Sequence, residues 1–160
     1  MYKAAVRWMI RRNIASINAG DYRPALAMFS DDLEFSFPGD NSWADEFRPL
    51  ERGRHVHVTH RGKDEMERFL LRYVAAGIQM EIEDILVNGP PWNLRAAVRV
   101  HDWSPGPAGD RYANRAVMFV TARWGRLTTH EDYEDTERAA AFDTLLAGER
   151  PVAVGAGSDL

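Results

Sequence analysis

The segment AAVRVHDWSPG, Ala96 to Gly106, sets Arg99, His101 and Asp102 almost side by side. A histidine held against a carboxylate keeps one tautomer and exchanges a proton near neutral pH. An arginine beside them keeps a carboxylate ionised and can bind a carboxylate or a developing enolate. The chemistry within reach is general acid–base catalysis, provided the right face of a strand points inward. The segment alternates with period two, so Val98, Val100 and Asp102 share one face and Arg99, His101 and Trp103 the other. Alternation alone sends the valines inward and leaves Arg99 and His101 in solvent.

Other clusters hold chemistry-bearing residue types with less support. RHVHVTH contains His55, His57 and His60, and a His-x-His pair projects both rings to one side of a strand, as a metal site needs. It lies among arginines with no acid beside it, and a solvated loop explains it as well. His101, His130, Asp132 and Glu134 are also metal-ligand types, but no metal is expected. The acids of EDYEDTE fit a helix start and a solvated edge, and Asp31-Asp32 fits a turn into a strand. Trp43, Trp92 and Trp103 could stack on a flat ligand or fill a core.

These groups need a scaffold, and 160 residues with 45% apolar and 28% charged residues suffice for one domain with a real core. The net charge of −4 argues against a nucleic-acid partner, and the basic residues are interspersed with acids. The chain has no cysteine, which removes disulfides, thiolate metal sites and a cysteine nucleophile. Arg7, Arg11 and Arg12 interrupt the apolar residues of the N-terminal segment, so neither a signal-peptide core nor a membrane span is expected. A cytoplasmic location, with no membrane partner, follows as the expectation.

Val6, Ile10, Ile14 and Ile17 recur at helical spacing up to Asn18-Ala19-Gly20. Asp21 can cap a short second helix running to Phe29. LEFSF, Leu33 to Phe37, alternates as a strand, and residues 38–61 read as a long loop rich in Gly, Pro, Asp and Arg. Met66, Phe69, Leu70 and Tyr73 share one face of a helix that stops at Gly77. The period then changes to two, and IQMEIEDILV, LRAAVRVHDW, YANRAVMFVTARW and RLTTHEDYE predict four strands joined by turns. A last helix begins at Asp135 or Thr136 and ends at Gly148. The expected organisation is one α+β domain over residues 1–148 and a mobile tail over 149–160. Helices on one face of a curved antiparallel β-sheet leave a conical, barrel-like pocket between them.

This order, with the phrases INAGDYRPALAMFSDD and WGRLTTHEDYEDT, resembles the SnoaL-like, nuclear transport factor two-like superfamily. That superfamily includes ketosteroid isomerases, polyketide cyclases and limonene epoxide hydrolases. The likeness spans about residues 5 to 146. The ketosteroid isomerase tyrosine, base and second aspartate fall at Asn13, Phe37 and Met118, so its catalytic set is not carried over. The epoxide hydrolase Arg-x-Asp falls at Arg99 and His101, and its second aspartate at Asp132. Its water-holding tyrosine and asparagine fall at Phe35 and Phe37, which offer a water no hydrogen bond.

The resemblance turns Arg99, His101 and Trp103 inward, against simple alternation, and brings Asn114, Met118, His130, Asp132 and Glu134 onto the same face. The valines would then lie on an outer face covered by a second copy, a homodimer. What the resemblance implies is a pocket walled by Phe35, Phe37, Trp43, Trp103 and Met118, with Asn114, His130 and Glu134 as further ligand contacts. His101 would act as base or acid, Asp132 would orient it, and Arg99 would stabilise negative charge. The ligand would be a small apolar metabolite of polyketide, terpenoid or steroid type. No organic cofactor is expected, because no Gly-rich phosphate loop follows a strand. The reaction would be an isomerisation, cyclisation, dehydration or hydrolysis. A non-catalytic ligand binder or dimeric interaction module of the same fold is the alternative.

Overall fold

The computed structural model describes residues 1–38 and 57–149, with the side chains of residues 57, 58 and 149 outside the description. Helix α1 (Tyr2–Asn18) turns Ile14 and Ile17 into the core and ends where Gly20 takes a positive φ of 85°. Its last residue ties it to the sheet. Asn18 donates from Nδ2 to the Met80 carbonyl at 2.8 Å and accepts from the Met80 N–H at 2.9 Å, imitating a strand partner. The short α2 (Arg23–Leu26) leads directly into β1 (Phe29–Pro38). Strand β1 therefore starts earlier than Leu33 and takes up Asp31 and Asp32 at an irregularity in its pairing with β6.

The second departure from the sequence reading is β2 (His57–Arg61), within the segment read as loop. It pairs antiparallel with Glu34–Pro38 as an edge strand, and His60 is wholly buried there. The surrounding arginines and glycines hide so short an alternation. Helix α3 (Lys63–Ala75) follows, with Met66 and Leu70 buried.

Strands β3 (Gln79–Asn88), β4 (Leu94–Gly106), β5 (Gly109–Arg123) and β6 (Arg126–Glu134) form an antiparallel meander, and α4 (Thr136–Glu149) closes the described chain. The Asp135 carboxylate caps α4, accepting from the N–H groups of Glu137 at 3.1 Å and Arg138 at 3.3 Å. All six strands join one curved, open α+β sheet in the order β2-β1-β6-β5-β4-β3. Neighbours are antiparallel except β1 and β6, which run parallel. Helices α1 and α3 pack into the concave side, where Leu33, Val98, Val100, Ala116 and Val120 form the floor of the core.

Candidate functional site

Cross-strand register decides which residues meet. Val98 stands opposite Met118 and Met118 opposite Asp132, while Val100, Ala116 and Glu134 form the next row. Asp102 stands opposite Asn114 in the row after that. These residues share the concave face, so the valines and Asp102 point inward. Arg99, His101 and Trp103 lie on the convex face instead, which corrects the orientation drawn from the resemblance. The physical reason is solvation, since a guanidinium costs too much to bury among apolar side chains without a partner. Outside, Arg99 Nε binds Glu83 at 2.9 Å, and Arg115 holds the other Glu83 oxygen at 2.7 Å. His101 lies half-buried beside the Trp103 ring, 5.8 Å between centroids. His101 and Asp132 are therefore on opposite sides of the sheet.

Between the concave face and helices α1 and α3 lies a cavity of about 560 Å³. Ile14, Ile17, Phe69, Leu70, Met118 and Val120 give it apolar walls, and Asn13 also faces it. Phe37 lines it and packs on Phe69 at 4.5 Å, whereas Phe35 is buried behind, edge-on to Phe37 at 5.8 Å. Trp43 and His55 lie outside the described residues. His60 is sealed beneath Phe35 and Phe37, with the Glu65 carboxylate 3.5 Å from its Nδ1. Among the described residues no three His, Asp or Glu side chains come together as a metal site, and His101 is separated from His130 by the sheet.

The polar end of the cavity is acidic. Asp102, His130, Asp132 and Glu134 line it with Tyr73 and Tyr112. His130 and Asp132, two apart on β6, face the same way, and His130 Nε2 meets Asp132 Oδ1 at 3.1 Å. Burial disfavours the imidazolium, but the Asp132 charge and hydrogen bond outweigh it, with help from Glu131, and raise the His130 pKa. Asn114 stands behind the cavity wall. Its Nδ2 donates to the Tyr112 hydroxyl at 3.1 Å, Glu134 Oε2 at 3.3 Å and the Asp135 carbonyl at 3.0 Å. Tyr112 in turn stacks on Phe142 of α4, centroids 4.4 Å apart, so the last helix closes this end.

Two carboxyls here hold their protons unusually well. Burial pushes Asp102 up to about 7, the Asp132 charge adds to this, and the Tyr73 hydroxyl works in the other direction. Tyr73 approaches Asp102 without a hydrogen bond of ordinary geometry, and Asp102 Oδ1 is buried with no partner among the described residues. Burial likewise pushes Glu134 up to about 8, aided by Asp132 and Asp102 and opposed by Tyr112. Tyr73 and Tyr112 are raised by burial as well. In the sequence Asp102 stands out only as a neighbour of Arg99 and His101, and nothing there gives a site role to Tyr73 or Tyr112, although the Val98-Val100-Asp102 alternation places the first inward.

The sequence profile of the SnoaL-like domain matches residues 10–130. The chain belongs to the SnoaL-like family. This SnoaL-like domain also resembles solved structures of the nuclear transport factor two-like fold. A protein of unknown function from Burkholderia pseudomallei is 18% identical with a TM-score of 0.65, over 86% of this chain and 96% of that one. A protein of cystatin-like fold from Xanthomonas campestris is 16% identical with a TM-score of 0.63, over 84% and 95%. A protein from Rhodopseudomonas palustris, provisionally named an isomerase, is 15% identical with a TM-score of 0.60, over 86% and 94%. No curated protein matches this SnoaL-like chain. Similarity at this level shows the fold alone. No helix among the described residues is long and apolar enough to cross a membrane.

Proposed function

We propose that this SnoaL-like domain is an acid–base enzyme acting on a compact, mostly apolar metabolite, by isomerisation, cyclisation, dehydration or hydrolysis. One observation carries the reading: two carboxyls, the buried Asp102 and the half-buried Glu134, face an apolar cavity with pKa values raised to about 7 and about 8. Groups that titrate near neutral pH inside a water-poor cavity are suited to moving a proton. Glu134, with the more strongly raised pKa, is the proton donor, and Asp102 takes or returns the proton. The His130–Asp132 pair fixes the charge beside them. Arg99 and His101, on the convex face, have no part in this chemistry.

A thermal-shift screen of polyketide, terpenoid and steroid-like metabolites, followed by product analysis on each hit, tests the proposal. Conversion should fall at least about 100-fold in folded Asp102→Asn and Glu134→Gln variants, the usual scale for losing an acid or base. Hits recovered chemically unchanged would instead favour a ligand carrier, a reading supported by the largely apolar wall. Pairing of two copies through the convex face belongs to the same proposal. There Val117 and Phe119, both half-buried, stand away from the cavity, and Tyr133 is 47% exposed.

A further inference from the structure

The charge at the closed end of the cavity says what kind of ligand belongs there. Among the described residues lining the cavity there are three carboxyls and one histidine, but no lysine or arginine. The nearby arginines are committed elsewhere. Arg99 and Arg115 bind Glu83 on the convex face, Arg72 binds Asp143 at 2.8 Å, and Arg111 donates to the Ala76 carbonyl at 2.8 Å. Among the described lining residues only His130 can carry positive charge, and it already bonds Asp132.

Asp102 is the second, separate observation. It is 7% exposed, it lines the cavity, and its Oδ1 makes no hydrogen bond among the described residues. A buried carboxyl oxygen without a donor is costly, the Tyr73 hydroxyl nearby makes no regular hydrogen bond to it, and a ligand that supplies a donor relieves that cost. Asp102 and Glu134 stand on either side of the central strand β5, next to Asn114 and Ala116, with Asp132 one row further along. In their ionised forms these carboxyls only accept, so a ligand group placed between them then needs several donors. An ammonium has that inventory, and a carboxylate has the reverse.

We propose that the SnoaL-like cavity takes an apolar ligand bearing a basic amine, whose ammonium sits among Asp102, Asp132 and Glu134. This rests on the small-molecule reading above and narrows it to one charge class. The apolar walls cover the hydrocarbon body, and the rings of Phe37, Phe69 and Tyr73 supply faces that tolerate a nearby cation. Binding the cation favours the ionised form of the two carboxyls that otherwise hold protons near neutral pH, so protons leave on binding.

Calorimetry on the full chain with three probes of one skeleton tests this: naphthylethylamine, naphthylethanol and naphthylacetate. The amine should bind at least about tenfold more tightly than the alcohol, as expected of a charge pair in a partly desolvated site. The amine should bind more tightly as pH rises from about 6 to 8, where Asp102 and Glu134 lose their protons. Its heat should depend on the ionisation enthalpy of the buffer, and the heat of the alcohol should not. Asp102→Asn should abolish the preference for amine over alcohol. If that variant does not fold, the pH series on the unaltered chain and Glu134→Gln carry the test. An alcohol that binds as well as the amine, or a carboxylate that binds best, overturns the inference and leaves the apolar-pocket reading standing. Failure of all three to bind overturns both.

Discussion

At the scale of single residues, the site depends on where charge is tolerated. Asp102 and Glu134 are acids whose folded pKa values stand above their ordinary ones, 3.8 and 4.5, so the folded state holds protons that the unfolded chain releases. Their stabilising effect is therefore greatest at low pH and is lost as pH rises from about 4 towards 7 for Asp102 and 8 for Glu134. Moving Asp102 from 3.8 to about 7 corresponds to a loss on the order of 4 kcal/mol. Asp102→Asn should thus flatten the fall in Tm between pH 5 and pH 8, and an unchanged profile would show that this carboxyl is not held protonated. The neighbouring pair has the same sign, because a raised His130 pKa also means that the folded state keeps its proton to higher pH. Asp132 raises the His130 pKa, so Asp132→Asn should lower the His130 titration midpoint followed by NMR.

The same residues show what a sequence can and cannot disclose. The inward set Val98, Val100 and Asp102 is visible in plain alternation, because a strand has only two faces. A likeness to epoxide hydrolases argued for the opposite face, and the ion pairs of Arg99 show why that face stays wet. Desolvation of a carboxyl by residues distant in sequence leaves no local trace, so the raised pKa of Asp102 is not legible there. Asp132, His130, Glu134, Phe37 and Met118 do reach the cavity wall, since alternation on β1, β5 and β6 follows the same rule.

At the scale of elements, the sequence pattern disclosed the three long helices and the four-strand meander. Strand β2 escaped because only five residues, on an edge, carry its pattern. Turns hold the meander in register, and Gly89 shows how strictly. Its φ is +84°, and a Cβ there would come 2.1 Å from the Asn93 carbonyl oxygen. Gly89→Ala should cost about 2 kcal/mol or more in urea unfolding, through backbone strain together with this clash. Helix α4 is attached through Ala139, through the Arg72–Asp143 pair and through Phe142, which is 3% exposed and stacked on Tyr112. Phe142→Ala should destabilise by about 3 kcal/mol. It should also lower the raised pKa of Glu134, because water would then reach the Tyr112 end of the cavity. A pH–stability profile of the variant measures both effects.

At the scale of the whole molecule, the sheet has two unlike surfaces. The concave one is apolar with an acidic end, and the convex one mixes an arginine–glutamate cluster with Val117 and Phe119. If two copies pair through the convex face, light scattering should give twice the chain mass. Phe119→Asp, which leaves the cavity untouched, should then return a single-chain mass with the thermal unfolding midpoint of the folded chain still measurable.

The parallel junction of β1 with β6 has a kinetic consequence. The β3–β6 meander is assembled from neighbours in sequence, whereas Phe29 must find Leu127 across most of the chain. Closing so long a loop is slow compared with zipping hairpins. The meander should gain amide protection early in refolding and β1 with β2 late. The cavity, whose wall is shared by the two parts, would be the last thing the chain completes.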